Sequence, residues 1–290
     1  MNYGSVREIK ELLEKYNIGL KKRWGQNYLL SHDLRHRITA WAGITGDSLV
    51  WEIGPGIGSL TGLLAQEAGK LILFEIDWGI IRVLEDLFGD NDNIVIRGGD
   101  FLDTFRNVRN EFGEPDRIVG NLPYRSAGTM IAALIENGVA PRRMVFMVQK
   151  ELADRMTAVP GTKAFSAFTV LCRSGWRTEV AGEVKPGSFY PAPEVSSVVV
   201  IMEPDGSGVK PLNFTLYKEI VRQAFVSRRK KISNNLKKMP VLTGIPDKEI
   251  RGSFADAGIS PEARAEELRP EEFARLADAL HLKLQDIQSG

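Results

Sequence analysis

The chain has 290 residues, 43% hydrophobic and 26% charged, which reads as an ordinary globular protein with room for one large domain and a smaller one. Its 38 Lys and Arg against 37 Asp and Glu give a formal net charge of +1, so no global field draws it to nucleic acid and any anionic partner must be met by a local patch. One cysteine, Cys172, excludes an internal disulfide and a multi-cysteine zinc site, and with three histidines no metal centre is expected.

The N-terminal "MNYGSVREIKELLEKY" predicts an amphipathic helix without the apolar core of a signal peptide. No run approaches the roughly 20 apolar residues that cross a bilayer, so a cytoplasmic monomer without membrane contact is expected. His32 and His36, four apart on a predicted helix, lack the intervening Glu of a zinc-protease motif and read as a solvated face. From about residue 48 to 150 short apolar runs alternate with helical patterns. "SLVWEI" (48–53), "KLILFEID" (70–77), "NIVIRGGD" (93–100), "DRIVGN" (116–121) and "RRMVFMVQK" (142–150) are the predicted strands. Strands separated by helices of this length imply parallel crossovers, hence a doubly wound α/β sheet. "TEVAGEV" and "VSSVVVIMEP" look like a closing antiparallel pair, joined by "KPGSFYPAPE". "EPDGSGVKP" collects turn formers and marks a boundary, giving domains of residues 1–206 and 207–290. Beyond it four helices are predicted, through "LYKEIVRQAF", "RRKKISNNLKK", "DKEIRGSFADAG" and "PEEFARLADALHLKL".

"EIGPGIGSLT" runs from the first strand into the first helix of this region. Gly54, Gly56 and Gly58 allow a tight turn and close approach of a ligand, although a plain strand-to-helix turn uses the same residues. The dinucleotide fingerprint needs a glycine where Ser59 stands, and no hydride-site His or Tyr-Lys pair is evident, which disfavours a nicotinamide-dependent dehydrogenase. Position strengthens the case for a nucleoside ligand. Glu75 ends the second strand, where a carboxylate can accept from both ribose hydroxyls, with Asp77 the nearby competitor. Asp100 ends the third, where it can accept from an adenine amine.

"GNLPY" ends the fourth strand in the same crevice. The exocyclic amine of adenine is a poor nucleophile because its lone pair is delocalised into the ring. Two acceptors on its N–H groups favour a pyramidal nitrogen and aim that lone pair, and an Asn carboxamide with a backbone carbonyl supplies them without a strong base. Asn121 is the carboxamide, Pro123 fixes the adjoining backbone, and Tyr124 can stack on the base.

Together "KKRWGQNYLLS", "EIGPGIGSLT", "FEID", "GGDFLD", "GNLPY", "MVQKELADRM" and "FYPAPEVSSVVV" make the chain resemble the ribosomal RNA adenine dimethyltransferase family from about residue 20 to the end. The resemblance implies a Rossmann-like class I methyltransferase sheet with a small helical C-terminal domain, S-adenosylmethionine as methyl donor, and two adjacent adenosines near the 3′ end of small-subunit rRNA as substrate. It assigns Asn27 and Leu29 to a lid over the cofactor, and Gly54, Glu75, Asp100 and Asn121 to the cofactor site. It assigns the Leu122 carbonyl as second acceptor, and Tyr124 and Phe189 to the two faces of a flipped base. Phosphate contacts are expected from Lys21, Lys22 and Arg23 and from Arg228, Arg229, Lys230, Lys231, Lys237 and Lys238. Arg125 and Ser126 stand where the family usually has Asn and an aliphatic residue, Phe165-Ser166 where it has Tyr-Gly, and Ser196 where an acid is common. Two alternatives are a relative that methylates a large-subunit adenosine, conferring antibiotic resistance, and a non-enzymatic RNA-binding assembly factor.

Overall fold

The computed structural model describes residues 1–19, 26–206 and 208–289. By contacts the chain divides into two compact units, Met1–Ala153 with Thr178–Pro204, and Asp154–Arg177 with Asp205–Gly290.

The first unit is built on strands β1 (Tyr28–Leu29), β2 (Leu49–Ile53), β3 (Lys70–Glu75), β4 (Ile94–Gly98), β5 (Arg117–Asn121), β6 (Arg143–Gln149), β7 (Trp176–Val184), β8 (Phe189–Tyr190) and β9 (Ser197–Pro204). Seven of them form one sheet in the order β4-β3-β2-β5-β6-β9-β7, while β1 and β8 pair separately. The five predicted strands are β2 to β6 and run parallel; β9 is antiparallel to β6 and lies between it and β7. The strand order reverses at β2, which has β3 on one side and β5 on the other. Ile53 at its end lies opposite both Phe74 and Gly120, so the chain leaves β2 and β5 side by side. In open α/β sheets that reversal opens a crevice for a ligand.

Both sheet faces are covered. Val50, Leu71, Leu73, Val119 and Val145 share a core with Ile9 and Leu13 of α1 (Val6–Lys15), Ile38 of α2 (His32–Ala42) and Leu64 of α3 (Thr61–Glu67). The alternate residues Trp51 and Phe74 meet edge-on at 5.2 Å, and Phe74 continues the aromatic row to Phe101 and Phe105 of α5 (Phe101–Phe112). Such buried runs on both faces are what parallel strands require. The helices begin on short polar caps. Ser5 accepts from the Glu8 N–H, Asp77 from the Gly79 N–H at the start of α4 (Trp78–Phe88), and Asp100 from the Leu102 N–H, each satisfying a donor the helix leaves open. After β5 the chain enters α6 (Ala127–Glu136).

The second unit has its own core. Helix α7 (Lys150–Thr157) leads into it, followed by α8 (Ala167–Cys172), α9 (Phe214–Ala224), α10 (Ile232–Leu236), α11 (Asp247–Asp256) and α12 (Pro270–Ser289). Phe165 lies tilted against Phe225 with ring centroids 6.0 Å apart, and Phe225 stacks on Phe273 at 5.8 Å. The segment Asp154–Arg177, grouped by sequence with residues 1–206, packs here because Ala158, Phe165 and Val170 belong to this core. Cys172 is buried, as a free cysteine that packs like a small apolar side chain. The helix expected through "RRKKISNNLKK" is confined to Ile232–Leu236. Lys231 forms a β-bridge with Arg264, and the Ile232 N–H donates to the Ala263 carbonyl at 2.8 Å, so the preceding residues turn rather than coil.

No helix among the described residues is long and apolar enough to cross a membrane.

Candidate active site

A cavity of about 540 Å³ opens at the carboxyl ends of β2, β3 and β5. Its wall brings together Asn27, Leu29, Gly54, Glu75, Asp100, Asn121, Pro123 and Tyr124, eight of the residues singled out by sequence. Leu122 and Phe189 are not on it.

One half of the cavity is acidic. Gly54 follows β2 with φ +69, a conformation side chains rarely adopt, and a Cβ there would meet the Asn121 carbonyl oxygen at 3.4 Å. The turn therefore lies directly against the end of β5. Glu75 is 7% exposed, and its carboxylate accepts from the N–H groups of Ile76 and Asp77 (2.9 Å each) and Gly56 (3.3 Å). Burial pushes its pKa up to about 7; those N–H groups pull it down, and nearby Asp77 raises it again. Asp77, the competitor by sequence, is not on the wall: it caps α4 and accepts from Gln26 Nε2 at 3.1 Å. Asp100 commits Oδ1 to the Leu102 N–H (2.9 Å) and remains half-buried on the wall.

Two residues of this half were not read as functional from the sequence. Glu52 is 1% exposed, accepts from the Thr61 hydroxyl at 2.8 Å, and is pushed up to about 8 by burial. Its signal was present: a carboxylate within the buried strand "LVWEI" is costly unless it is used. Tyr28 lies on the wall against Gly56, and its buried hydroxyl has no hydrogen-bond partner. Burial also holds that phenol well above its ordinary range.

The other half is the turn after β5. Gly120 approaches β2 so closely that a Cβ would lie 2.8 Å from both the Ile53 carbonyl oxygen and Leu122 Cδ2. Gly120→Ala is expected to destabilise the protein by about 1–3 kcal/mol, read as a lower urea midpoint, because a backbone atom cannot swing aside. Asn121 Nδ2 donates to the Asn27 carbonyl at 2.9 Å, which fixes the orientation of the amide. Among the described residues its Oδ1 has no donor, and Asn121 lines the cavity wall. The Leu122 N–H donates to the Met147 carbonyl at 3.1 Å and its side chain is 1% exposed, while its own carbonyl receives no hydrogen bond from described residues. The Pro123 carbonyl accepts from the Ser126 and Ala127 N–H groups (3.0 and 2.9 Å) and opens α6. The Tyr124 hydroxyl meets the Ser197 hydroxyl at 2.8 Å, which tethers the ring to the start of β9. Phe189 is 3% exposed: it pairs with Leu29 in the small β1–β8 sheet and packs into the core.

The basic groups divide. Lys21, Lys22 and Arg23 lie outside the described residues. In the second unit Arg228 is paired with Glu266, Lys231 with Glu262 and Lys237 with Asp247. Arg229, Lys230 and Lys238 are exposed and have no such partners among the described residues.

Fold and cavity together define a class I methyltransferase, with the ligand crevice at the reversal of strand order. The structure is similar to a dimethyladenosine transferase from Plasmodium falciparum, with a TM-score of 0.75 and 26% identity over 88% of this chain and 98% of that one. It also shares its fold with the 23S rRNA methyltransferase ErmE, at a TM-score of 0.61 and 24% identity over 87% and 99% of the two chains. The sequence narrows the class. The family model described as ribosomal RNA adenine dimethylase matches residues 18–282. A Treponema denticola protein named ribosomal RNA small subunit methyltransferase A is 36% identical over 281 residues, 96% of each chain. An Anoxybacillus flavithermus protein of the same name is 38% identical over 282 residues, 94% of each. The chain belongs to the ribosomal RNA adenine dimethylase family.

Proposed function

We propose that the protein transfers methyl groups from S-adenosylmethionine to the exocyclic N6 of two adjacent adenosines in the 3′-terminal hairpin loop of 16S rRNA, giving dimethyladenosines during ribosome biogenesis. The observation that carries the chemistry is the carboxamide of Asn121, held in one orientation by the bond from Nδ2 to the Asn27 carbonyl. With the amide so oriented, Oδ1 is the acceptor for a substrate N–H.

The donor half fits the cofactor. S-adenosylmethionine, when bound, supplies an electrophilic methyl group on a cationic sulfur, and a wall bearing Glu52, Glu75 and Asp100 complements that charge. Glu75 takes the ribose hydroxyls and Asp100 the adenine amine, through the carboxylate oxygen its helix cap leaves over. Gly54 lets the backbone close on the ligand, and Asn27 and Leu29 cover it.

On the acceptor side Asn121 Oδ1 and the Leu122 carbonyl accept from the two N6–H groups of the target. Both are held in place by hydrogen bonds on their far sides, so little reorganisation accompanies the reaction. Pro123 rigidifies the link between them and Tyr124, whose ring is tethered through its hydroxyl. Base stacking on such a ring contributes about 1–3 kcal/mol. Phe189 covers the second face of the base once it leaves its packed position beside Leu29. RNA phosphates meet Arg229, Lys230 and Lys238 and the basic residues 21–23. The protein acts as a monomer on a small-subunit precursor.

The test is transfer of labelled methyl groups by the purified protein to small ribosomal subunits lacking the modification. Label is expected in small-subunit RNA; label in large-subunit RNA, or cofactor binding without transfer, contradicts the proposal.

A further inference from the structure

We propose that Arg125 forms a phosphate-binding subsite in the acceptor half of the cavity, holding a phosphodiester group of the RNA strand beside the target nucleotide. The inference rests on the RNA-methylating reading above and adds to it a recognition element that the Asn121–Tyr124 motif does not contain.

Arg125 directly follows Tyr124, so the same turn that presents the acceptors also places this side chain, and it lines the same cavity. It is exposed, with neither an ion pair nor a hydrogen bond to its side chain among the described residues. The contrast with its neighbours in the first unit is direct: Arg97 is held by Glu111, Arg109 by Glu114 and Arg143 by Glu203. Those arginines serve the fold, whereas the Arg125 guanidinium contributes nothing to it that the structure records. Among the described residues of the cavity wall Arg125 is also the single cation, on a wall that bears Glu52, Glu75 and Asp100.

The chemistry of the entering group then selects the ligand. The base that offers its N6 to Asn121 brings its own backbone with it, since a flipped nucleotide carries its 5′ and 3′ phosphates into the mouth of the site. Phosphate is the anion of that strand, and a planar guanidinium can take two of its oxygens at once. One cation beside the acceptors also sets on which side of the cavity the strand runs. The carboxylate of the cofactor's methionine end is the other anion of this chemistry within reach of the cavity, and the experiment separates the two.

Arg125→Gln and Arg125→Lys are compared with the unmodified protein for binding of small subunits, for methyl transfer, and for cofactor affinity by calorimetry, across a range of salt. Arg125→Gln is expected to weaken subunit binding and raise the KM for subunits roughly three- to tenfold, with a smaller change in kcat, and to reduce the slope of log affinity against log salt by about one. Arg125→Lys, which keeps the charge, is expected to recover most of the loss. Cofactor affinity and thermal midpoint are expected to stay unchanged in both. Unaltered binding and salt slope in Arg125→Gln overturn the inference. So does weakened cofactor affinity with unaltered subunit binding, which assigns the guanidinium to the cofactor carboxylate. Failure of the unmodified protein to transfer methyl groups contradicts the reading beneath it, and the binding arm still decides the role of Arg125. Absence of subunit binding by the unmodified protein overturns both.

Discussion

Asn121→Ala is expected to lower methyl transfer by about 10²–10³-fold while leaving cofactor affinity within about twofold, the scale on which loss of one preorganised polar group at a reacting atom is felt. The substitution removes the acceptor for one N6–H and leaves the other to the Leu122 carbonyl, so the target nitrogen is no longer held pyramidal. Asn121→Asp sharpens the test. The aspartate keeps an acceptor and adds charge, but its second oxygen replaces the amide that donates to the Asn27 carbonyl at 2.9 Å. Two oxygens at that separation repel, and the carboxylate must rotate away. Activity is therefore expected to fall in Asn121→Asp as well. Single-turnover transfer together with calorimetric cofactor binding measures both effects, and full activity in either variant removes Asn121 from the chemistry.

The second large effect is expected at Glu75. In Glu75→Gln the amide oxygen can replace the carboxylate oxygen that receives Ile76 and Asp77, which sets the new NH₂ against the Gly56 N–H and against the ribose hydroxyls. Loss of one to two charge-assisted hydrogen bonds raises the cofactor dissociation constant roughly 10–100-fold. The pH dependence gives an independent sign. Burial holds Glu75 at about 7 and Glu52 at about 8 in the ligand-free protein. Ribose hydroxyls donate to the ionised form of Glu75, and a cationic ligand favours the ionised form of both groups. Cofactor affinity is thus expected to increase as pH rises from about 6 to 8, with release of protons on binding. Folding runs the other way. Both carboxylates bind protons more tightly folded than at their ordinary 4.5, so the ligand-free protein loses stability as pH rises from there through about 7 to 8. Cofactor restores that stability by mass action. Glu75→Gln is expected to flatten both profiles, leaving the share due to Glu52. Thermal midpoints and calorimetry in buffers of different ionisation enthalpy read these changes, and a pH-independent wild-type affinity contradicts the assignment.

How far the sequence leads is set by how local each feature is. Strands β2 to β6 are written in short apolar runs between helical repeats, and their parallel order follows from the crossovers. The ends of those strands are equally local, which is why Gly54, Glu75, Asp100 and Asn121 could be placed in one crevice from order alone. Features that depend on distant partners were not legible. The bond that orients Asn121 joins residues 94 apart, and the packing of Phe189 follows from pairing with Leu29 in a two-residue strand that carries no periodic signal. The basic run after residue 227 reads as uniform charge, yet Arg228 and Lys231 are neutralised by acids more than 30 residues downstream, Glu266 and Glu262. Asp154–Arg177 precedes the turn formers that mark a boundary in the sequence, and the contact of Phe165 with Phe225 reveals the core it serves.

Nucleoside analysis of the methylated product tests the central claim most directly, because it reads the atom modified, the number of methyl groups and the RNA that carries them. Small subunits lacking the modification, incubated with the protein and S-adenosylmethionine, are digested and their nucleosides separated by mass and retention. N6,N6-dimethyladenosine at two adjacent positions of the 3′-terminal loop is the expected result. Methylation at another base or atom, or dimethyladenosine confined to large-subunit RNA, contradicts the account.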